Sequence, residues 1–235
     1  MPQYIGVDVY NGTGAIDWDT LQPCIDFAMI KAGQGQTMVD ARLDYNAQAC
    51  QRLGIPFGVY WYINATTVAD ASLEADKCLQ TIAPYSISFP VAYDFESSNP
   101  PANQVVVDMA RTFLDKILNA GYIPALYANP DFISRFYQPI INNEIAQGLY
   151  ELWVARYYNN DWQYTYPLLP NHTTPGIECG MWQWGYWYSI PGINNATNRA
   201  DANISYKDYS HIIPPRPPYP TAIRKMPLWM MLKNN

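Results

Sequence analysis

Histidine and cysteine are scarce in this chain of 235 residues, which contains two histidines and four cysteines. The histidines are His172 and His211, and the cysteines include no C-x-x-C pair. A cysteine–histidine zinc site and a histidine-based catalytic triad are therefore not predicted, and we expect neither a metal nor a cofactor. Cys50 and Cys78 fall on the apolar faces of predicted helices, so we expect buried thiols there.

Long apolar runs, nucleotide-binding motifs and excess positive charge are also missing. No stretch approaches the ~20 apolar residues of a membrane-spanning helix, and the first eight residues lack the basic and apolar regions of a secretory signal. No G-x-G-x-x-G follows the first predicted strand and no Walker loop occurs, which disfavours a nucleotide site. The net charge of −6 argues against nucleic-acid binding.

Aromatic residues, by contrast, are abundant: the chain has 20 tyrosines, 8 tryptophans and 7 phenylalanines. Tyrosine and tryptophan combine a flat apolar face with a hydrogen-bonding edge, which suits the faces and hydroxyl rims of sugars. The same residues also fill hydrophobic cores. A hydrophobic fraction of 49% provides enough apolar side chains for one large domain or two small ones.

Predicted strands and helices alternate along most of the chain. Helix-period segments follow each of the first five strands, whereas none separates the last three. Such alternation predicts a parallel sheet, and eight strands fit a closed barrel with an irregular last third better than an open doubly wound sheet. The predicted strands are 4–9, 27–31, 57–62, 89–96, 123–128, 152–157, 180–184 and 201–204.

Acidic side chains occur where several of these strands end. Asp94 and Glu96 are two residues apart and are predicted to leave the same face of one strand. Asp8 and Asp201 lie in the first and last predicted strands. Neighbouring carboxylates push their pKa values apart, as glycoside hydrolysis requires. Taken alone, Asp-x-Glu at a strand end could equally bind a metal or be a solvated strand terminus.

The C-terminal segment has a different composition. We predict that residues 1–210 form the barrel and that residues 211–235 are a proline-rich linker followed by a short apolar tail. The tail could pack on the barrel. Alternatively, residues 213–235 could serve in self-association or in docking to a partner.

Several short blocks together resemble the glycoside hydrolase family 25 lysozymes (N-acetylmuramidases), which include phage endolysins. The resemblance spans roughly residues 4–205, with the blocks in the same order as in the family. Where many members have Tyr-His-Phe, this chain has Tyr60-Trp61-Tyr62, which alters one sugar subsite. The matching blocks are 6–9, 16–18, 28–32, 40–46, 54–60, 94–96, 152–157, 182–184 and 201–203.

The resemblance implies an α/β fold, an irregular, flattened (β/α) barrel of TIM type with five helices and three closing strands. It also implies cleavage of the β-1,4 bond between N-acetylmuramic acid and N-acetylglucosamine in bacterial peptidoglycan. By motif position, Glu96 would be the general acid/base. Asp94 would be the nucleophile or the stabiliser of a substrate-assisted intermediate, with Asp8 and Asp201 beside it.

Six further residues are candidates for substrate binding, although each aromatic could instead be a core or rim residue. We expect such a protein to be made in the cytoplasm and released to the cell wall by lysis or with a phage particle. Two other functions stay open: a catalytically silent glycan- or wall-binding module, and a barrel enzyme acting on a phosphorylated metabolite. The six candidates for substrate binding are Tyr60, Tyr62, Tyr127, Trp153, Arg156 and Gln183.

Overall fold

The computed structural model describes residues 3–158, 170, 172, 174–193, 199–207 and 209. These residues form nine strands in one sheet. In chain order the strands are β1 (Tyr4–Val9), β2 (Phe27–Gln34), β3 (Met38–Val39), β4 (Phe57–Tyr62), β5 (Val91–Asp94), β6 (Pro124–Ala128), β7 (Glu151–Ala155), β8 (Met181–Ser189) and β9 (Arg199–Ser205).

Eight of the strands close into a barrel, because β1 pairs with β2 on one side and with β9 on the other. Strands β2, β4, β5, β6, β7 and β8 continue the parallel order around the barrel. This closure confirms the predicted barrel and excludes the open sheet. The prediction of a wholly parallel sheet is wrong, since β9 runs antiparallel to both β1 and β8.

Five helical segments surround the barrel in the described part of the chain, following β1, β3, β4, β5 and β6 as the alternation predicted. The fifth is irregular: α5 and α6 are single turns, each followed by a π-helical turn, at Ile133–Tyr137 and Ile141–Ile145. The α-helices are α1 (Trp18–Leu21), α2 (Leu43–Leu53), α3 (Val68–Ile82), α4 (Asn103–Asn119), α5 (Pro130–Phe132) and α6 (Gln138–Ile140).

Local sequence signals fix the ends of the long helices. The Thr67 side chain accepts a hydrogen bond from the Asp70 backbone N–H at 3.1 Å and so caps the start of α3. Gly54 ends α2 in the left-handed region, with φ of +66°, a conformation that glycine adopts without steric cost. The apolar faces of α2 and α3 bury Cys50 and Cys78, as predicted.

The barrel interior follows from the two-residue period of the strands. Phe27 and Met29 on β2 fill its lower part, and Phe27 stacks on Phe89 with ring centroids 4.6 Å apart. Gly6 provides room for this ring, since a Cβ there would lie 2.5 Å from it. Asp8 lies two residues after Gly6 on β1, so its side chain is on the same interior face, above these apolar side chains.

Two strand boundaries near the site differ from the predictions. Strand β5 ends at Asp94, so Glu96 lies in the following loop rather than in the pleat. Strand β2 runs on to Gln34 and folds back through β3. The tail, residues 211–235, lies outside the described residues, so the linker and docking hypotheses stay predictions. No described helix is both long and apolar enough to span a membrane.

Candidate active site

A cavity of about 120 Å³ opens at the end of the barrel where the parallel strands finish. We call it the catalytic cavity. All four predicted carboxyl groups line it, together with three aromatic rings and one amide. The lining residues are Asp8, Tyr60, Asp94, Glu96, Tyr127, Trp153, Gln183 and Asp201.

Strand pairing explains why residues far apart in sequence meet here. Asp94 is the register partner of Tyr62 on β4 and of Tyr127 on β6. Asp8 is paired with Asp201 across β1 and β9. Asp201 lies near the start of its strand, and it reaches this end of the barrel only because β9 is antiparallel.

Asp8 is a buried carboxylate held by two side-chain amides. Its Oδ2 accepts hydrogen bonds from Gln183 Nε2 at 2.8 Å and from Asn203 Nδ2 at 2.7 Å. Burial raises the pKa of Asp8 to about 6, the two amides oppose the rise, and the charge of Glu96 adds to it. The carboxyl of Asp8 therefore titrates close to neutrality.

Aromatic donors fix the orientation of both amides. Gln183 Oε1 accepts from the Tyr127 hydroxyl at 2.8 Å and also from the Tyr157 hydroxyl. Asn203 Oδ1 accepts from Trp153 Nε1 at 2.9 Å. Since the amide oxygens receive these donors, the amide nitrogens face Asp8. Gln183 also makes a long contact of 3.5 Å to Asp201, so its amide is fully engaged with protein.

Asp94 is also buried, but one of its oxygens lacks a partner. Among the described residues, no group hydrogen-bonds to Asp94 Oδ1. Burial raises the pKa of Asp94 well above its ordinary value, the charges of Glu96 and Asp8 add to the rise, and Lys31 opposes it. An unpaired buried carboxylate oxygen is costly, which agrees with the raised pKa, because the protonated carboxyl is the less costly form to bury.

Glu96 lies at the mouth of the catalytic cavity and is exposed. The cavity walls still withdraw it partly from water, which raises its pKa. The direction agrees with the expectation for a general acid. The cause is desolvation rather than the charges of neighbouring acids on which the sequence argument relied.

The predicted binding residues separate into two groups. Tyr60, Tyr127, Trp153 and Gln183 line the catalytic cavity, whereas Tyr62 and Arg156 do not. The ring of Tyr62 lies beside it, 5.1 Å from the ammonium of Lys31.

Arg156 pairs with none of the acids in the described part of the chain. Its Nη1 donates to the Pro175 carbonyl at 2.8 Å, and its guanidinium lies over the Tyr158 ring. Trp182 and Trp184, which belong to one of the blocks that resemble the family, are fully buried in the core.

Three contributors were missed in the sequence. Asn203 donates a hydrogen bond to Asp8, and Tyr157 orients the side-chain amide of Gln183. The charge of Lys31 opposes the rise in the pKa of Asp94. The two-residue spacing of Asp201 and Asn203 was a usable signal for the first. Among the described residues, no group of three or more histidine, cysteine or acidic side chains is arranged to hold a metal ion.

Comparison with known proteins identifies the class. A model of the family described as Glycosyl hydrolases family 25 matches residues 7–193. The chain belongs to this family of glycosyl hydrolases. This membership leaves no support for the alternative of an enzyme acting on a phosphorylated metabolite.

Individual relatives are distant in sequence but share the fold. Uncharacterized protein YegX of Escherichia coli strain K12 is 27% identical over 196 residues, covering 80% of this chain and 65% of YegX. This chain thus spans slightly less than two thirds of the length of YegX. The spore cortex lytic enzyme SleM of Clostridium perfringens superposes with a TM-score of 0.72 at 20% identity, covering 91% and 70% of the two chains. The catalytic domain of endolysin ply40 from Listeria monocytogenes bacteriophage P40 gives 0.69 at 22%, covering 90% and 97%.

Proposed function

We propose that the chain is a lysozyme-class peptidoglycan hydrolase that cleaves the β-1,4 bond between N-acetylmuramic acid and N-acetylglucosamine. The observation that carries the proposal is the pairing of an exposed Glu96 with a buried Asp94 that has an unpartnered oxygen, in one cavity. Release to the wall by lysis or with a phage particle belongs to the same proposal.

Glu96 is the general acid and base in this proposal. It lies at the cavity mouth, where a glycosidic oxygen can reach it, and its raised pKa favours the protonated form before the reaction. Protonation of the leaving oxygen breaks the glycosidic bond. The resulting carboxylate then takes a proton from the attacking water.

Asp94 acts on the other side of the reacting carbon. Its carboxyl group lines the cavity and can accept a hydrogen bond from the N–H of a 2-acetamido group. Such a contact supports attack by the acetamido oxygen of the substrate itself, with Asp94 as its stabiliser. Replacing Asp94 by Asn should therefore lower turnover strongly, and nearly full activity in this variant would exclude either role for Asp94.

The test is digestion of purified peptidoglycan, followed by borohydride reduction and analysis of the new reducing ends. We expect reduced muramic acid from the wild type and a 10²- to 10⁴-fold lower rate from Glu96→Gln. Glu178→Gln is the matched control, since Glu178 is exposed before the start of β8 and does not line the cavity.

Each other outcome has its own meaning. Reduced glucosamine ends would show that the enzyme is a glucosaminidase and that the proposed bond is wrong. The absence of new ends from several wall types would favour the catalytically silent binding module. Full activity of Glu96→Gln would remove Glu96 from its proposed role.

A further inference from the structure

A second and larger pocket lies at the same end of the barrel, beside the catalytic cavity. It encloses about 390 Å³, which is within the size range of ligand sites. Its walls are the turn between β2 and β3 and the loop between β4 and α3. We call it the amide pocket, and it is lined by Gln34, Gly35, Gln36, Thr37, Met38, Asn64, Ala65, Thr66, Asp70 and Glu74.

The walls of the amide pocket are fixed by specific contacts. Trp61 Nε1 donates to the Gly35 carbonyl at 3.1 Å, which holds the β2–β3 turn against β4. The buried Glu74 carboxylate accepts the backbone N–H of Asn64 at 3.2 Å, which holds the β4–α3 loop against α3. Gln36 Nε2 donates to Asp70 Oδ1 at 3.0 Å and joins the two walls. The pocket is therefore preformed, and a ligand need not order it.

Polar groups facing the pocket are left without protein partners. Gln34 uses its Oε1 to accept from Lys31 Nζ at 2.9 Å, so its Nε2 remains as a donor. Gln36 uses its nitrogen on Asp70, so its Oε1 remains as an acceptor. Within the described part of the chain, the side-chain amide of Asn64 makes no hydrogen bond. The pocket thus offers neutral donors and acceptors together.

The charge of the lining selects among ligands. No lysine or arginine lines the pocket, while Asp70 and Glu74 are acidic. Carboxylates and phosphates are disfavoured by such a lining. An N-acetylhexosamine presents hydroxyls, an amide N–H and a carbonyl without charge. Its acetamido methyl group can contact Met38, whose side chain is 55% exposed.

One chain segment connects the catalytic cavity with the amide pocket. Tyr60 lines the cavity, Asn64 lines the pocket, and Tyr62 lies between them on the same chain segment. Residues four apart in an extended segment are about 13 Å apart, which exceeds one sugar ring. The Ile63 N–H donates to the Asp94 carbonyl at 2.8 Å, which fixes this segment beside the catalytic strand.

We propose that the amide pocket is a distal subsite that binds an N-acetylglucosamine residue of the glycan strand, away from the bond that is cleaved. The proposal rests on the proposed function, since the strand must also occupy the catalytic cavity. N-acetylglucosamine is preferred over N-acetylmuramic acid because the latter carries a lactyl carboxylate or a peptide, whereas the described lining has two acidic side chains and no basic one.

The first test detects binding without cleavage. The probe is a peptide-free glycan octamer, added to ¹⁵N-labelled Glu96→Gln protein. The side-chain amide signals of Asn64 are identified by their absence from the spectrum of a protein that carries Asn64→Ala together with Glu96→Gln. We expect these signals to shift and saturate, and those of Asn142, exposed on the fifth helical segment, to stay fixed. Unmoved Asn64 signals would overturn the subsite, and a shift caused by free stem peptide but not by glycan would overturn the sugar assignment.

The second test compares kcat/KM for the octamer with that for a disaccharide, which occupies only the two positions on either side of the cleaved bond. Loss of one hydrogen-bonding side chain should lower the octamer-to-disaccharide ratio about 3- to 10-fold in Asn64→Ala, while Asn142→Ala keeps the wild-type ratio. A folding defect would slow both substrates alike and leave the ratio unchanged. An unchanged ratio in a well-folded Asn64→Ala would overturn the subsite. If the wild type cleaves neither substrate, the proposed function fails, and the binding test alone decides the pocket.

Discussion

Replacing Glu74 by glutamine should make the stability of this protein less sensitive to pH. Glu74 lies on α3 and is only 1% exposed. Burial raises its pKa from 4.5 to about 7, the backbone N–H groups of Asn64 and Ala65 oppose the rise, and the charge of Asp70 adds to it. Glutamine keeps an acceptor oxygen for these N–H groups but cannot ionise.

The size of the effect follows from linkage between ionisation and folding. Below pH 4.5 the carboxyl is protonated in both the folded and the unfolded chain and costs nothing. As pH rises through about 7, the unfolded chain has already lost this proton, and the folded chain must ionise a buried group. Each unit of pKa corresponds to about 1.4 kcal/mol, so the rise in the pKa of Glu74 from 4.5 to about 7 lowers the free energy of unfolding by about 3 kcal/mol above pH 8.

The assay is urea unfolding of the wild type and of Glu74→Gln at several pH values between 4.5 and 8.5, monitored by tryptophan fluorescence. The difference between the two proteins cancels the titration of the other acids. It should be near zero at pH 4.5 and should grow to about 3 kcal/mol in favour of the variant at pH 8.5. In urea this corresponds to a midpoint difference of about 1 M or more.

A constant difference across this pH range would refute the reasoning, because it would mean that Glu74 has the same pKa in both states. A variant that loses stability at high pH would show that the charged carboxylate is needed by the loop. Glu178→Gln is the control, since an exposed glutamate should give no pH-dependent difference.

Two further predictions concern the barrel interior. Asn203→Leu removes a hydrogen-bond donor to Asp8. We expect kcat/KM to fall about 10- to 100-fold and the pH–rate profile to move to higher pH. A loss of rate without a change in the pH–rate profile would indicate only a structural role for Asn203. Gly6→Ala places a Cβ 2.5 Å from the Phe27 ring and should cost about 1–3 kcal/mol in thermal unfolding. Adding Phe27→Leu should restore part of that loss, and no recovery would place the strain elsewhere.

The sequence alone determined the features that depend on short-range physics. The predicted strands placed Asp8 and Asp94 near strand ends, and the alternation of strands with helices predicted a closed barrel with five helical segments. The capping residue Thr67 and the stop at Gly54 follow from backbone hydrogen bonding that is complete within one turn. These signals need only neighbours in the chain, so they are visible in it.

Only the tertiary structure decided how distant segments meet. The antiparallel direction of β9 brings Asp201 opposite Asp8 and Asn203 within hydrogen-bond reach of it. No local pattern encodes strand direction, because the alternation of side chains is the same either way. The orientation of Gln183 depends likewise on two tyrosine hydroxyls from other segments.

The amide pocket was equally invisible in the sequence, since its two walls come from a turn after β2 and a loop after β4. Each wall taken alone is an ordinary polar connection. Their pairing depends on the buried contacts of Trp61 and Glu74, which form only when the barrel closes. Local hydrogen bonding and side-chain period therefore gave the elements and the acids, while long-range packing decided which polar groups face one another across the site.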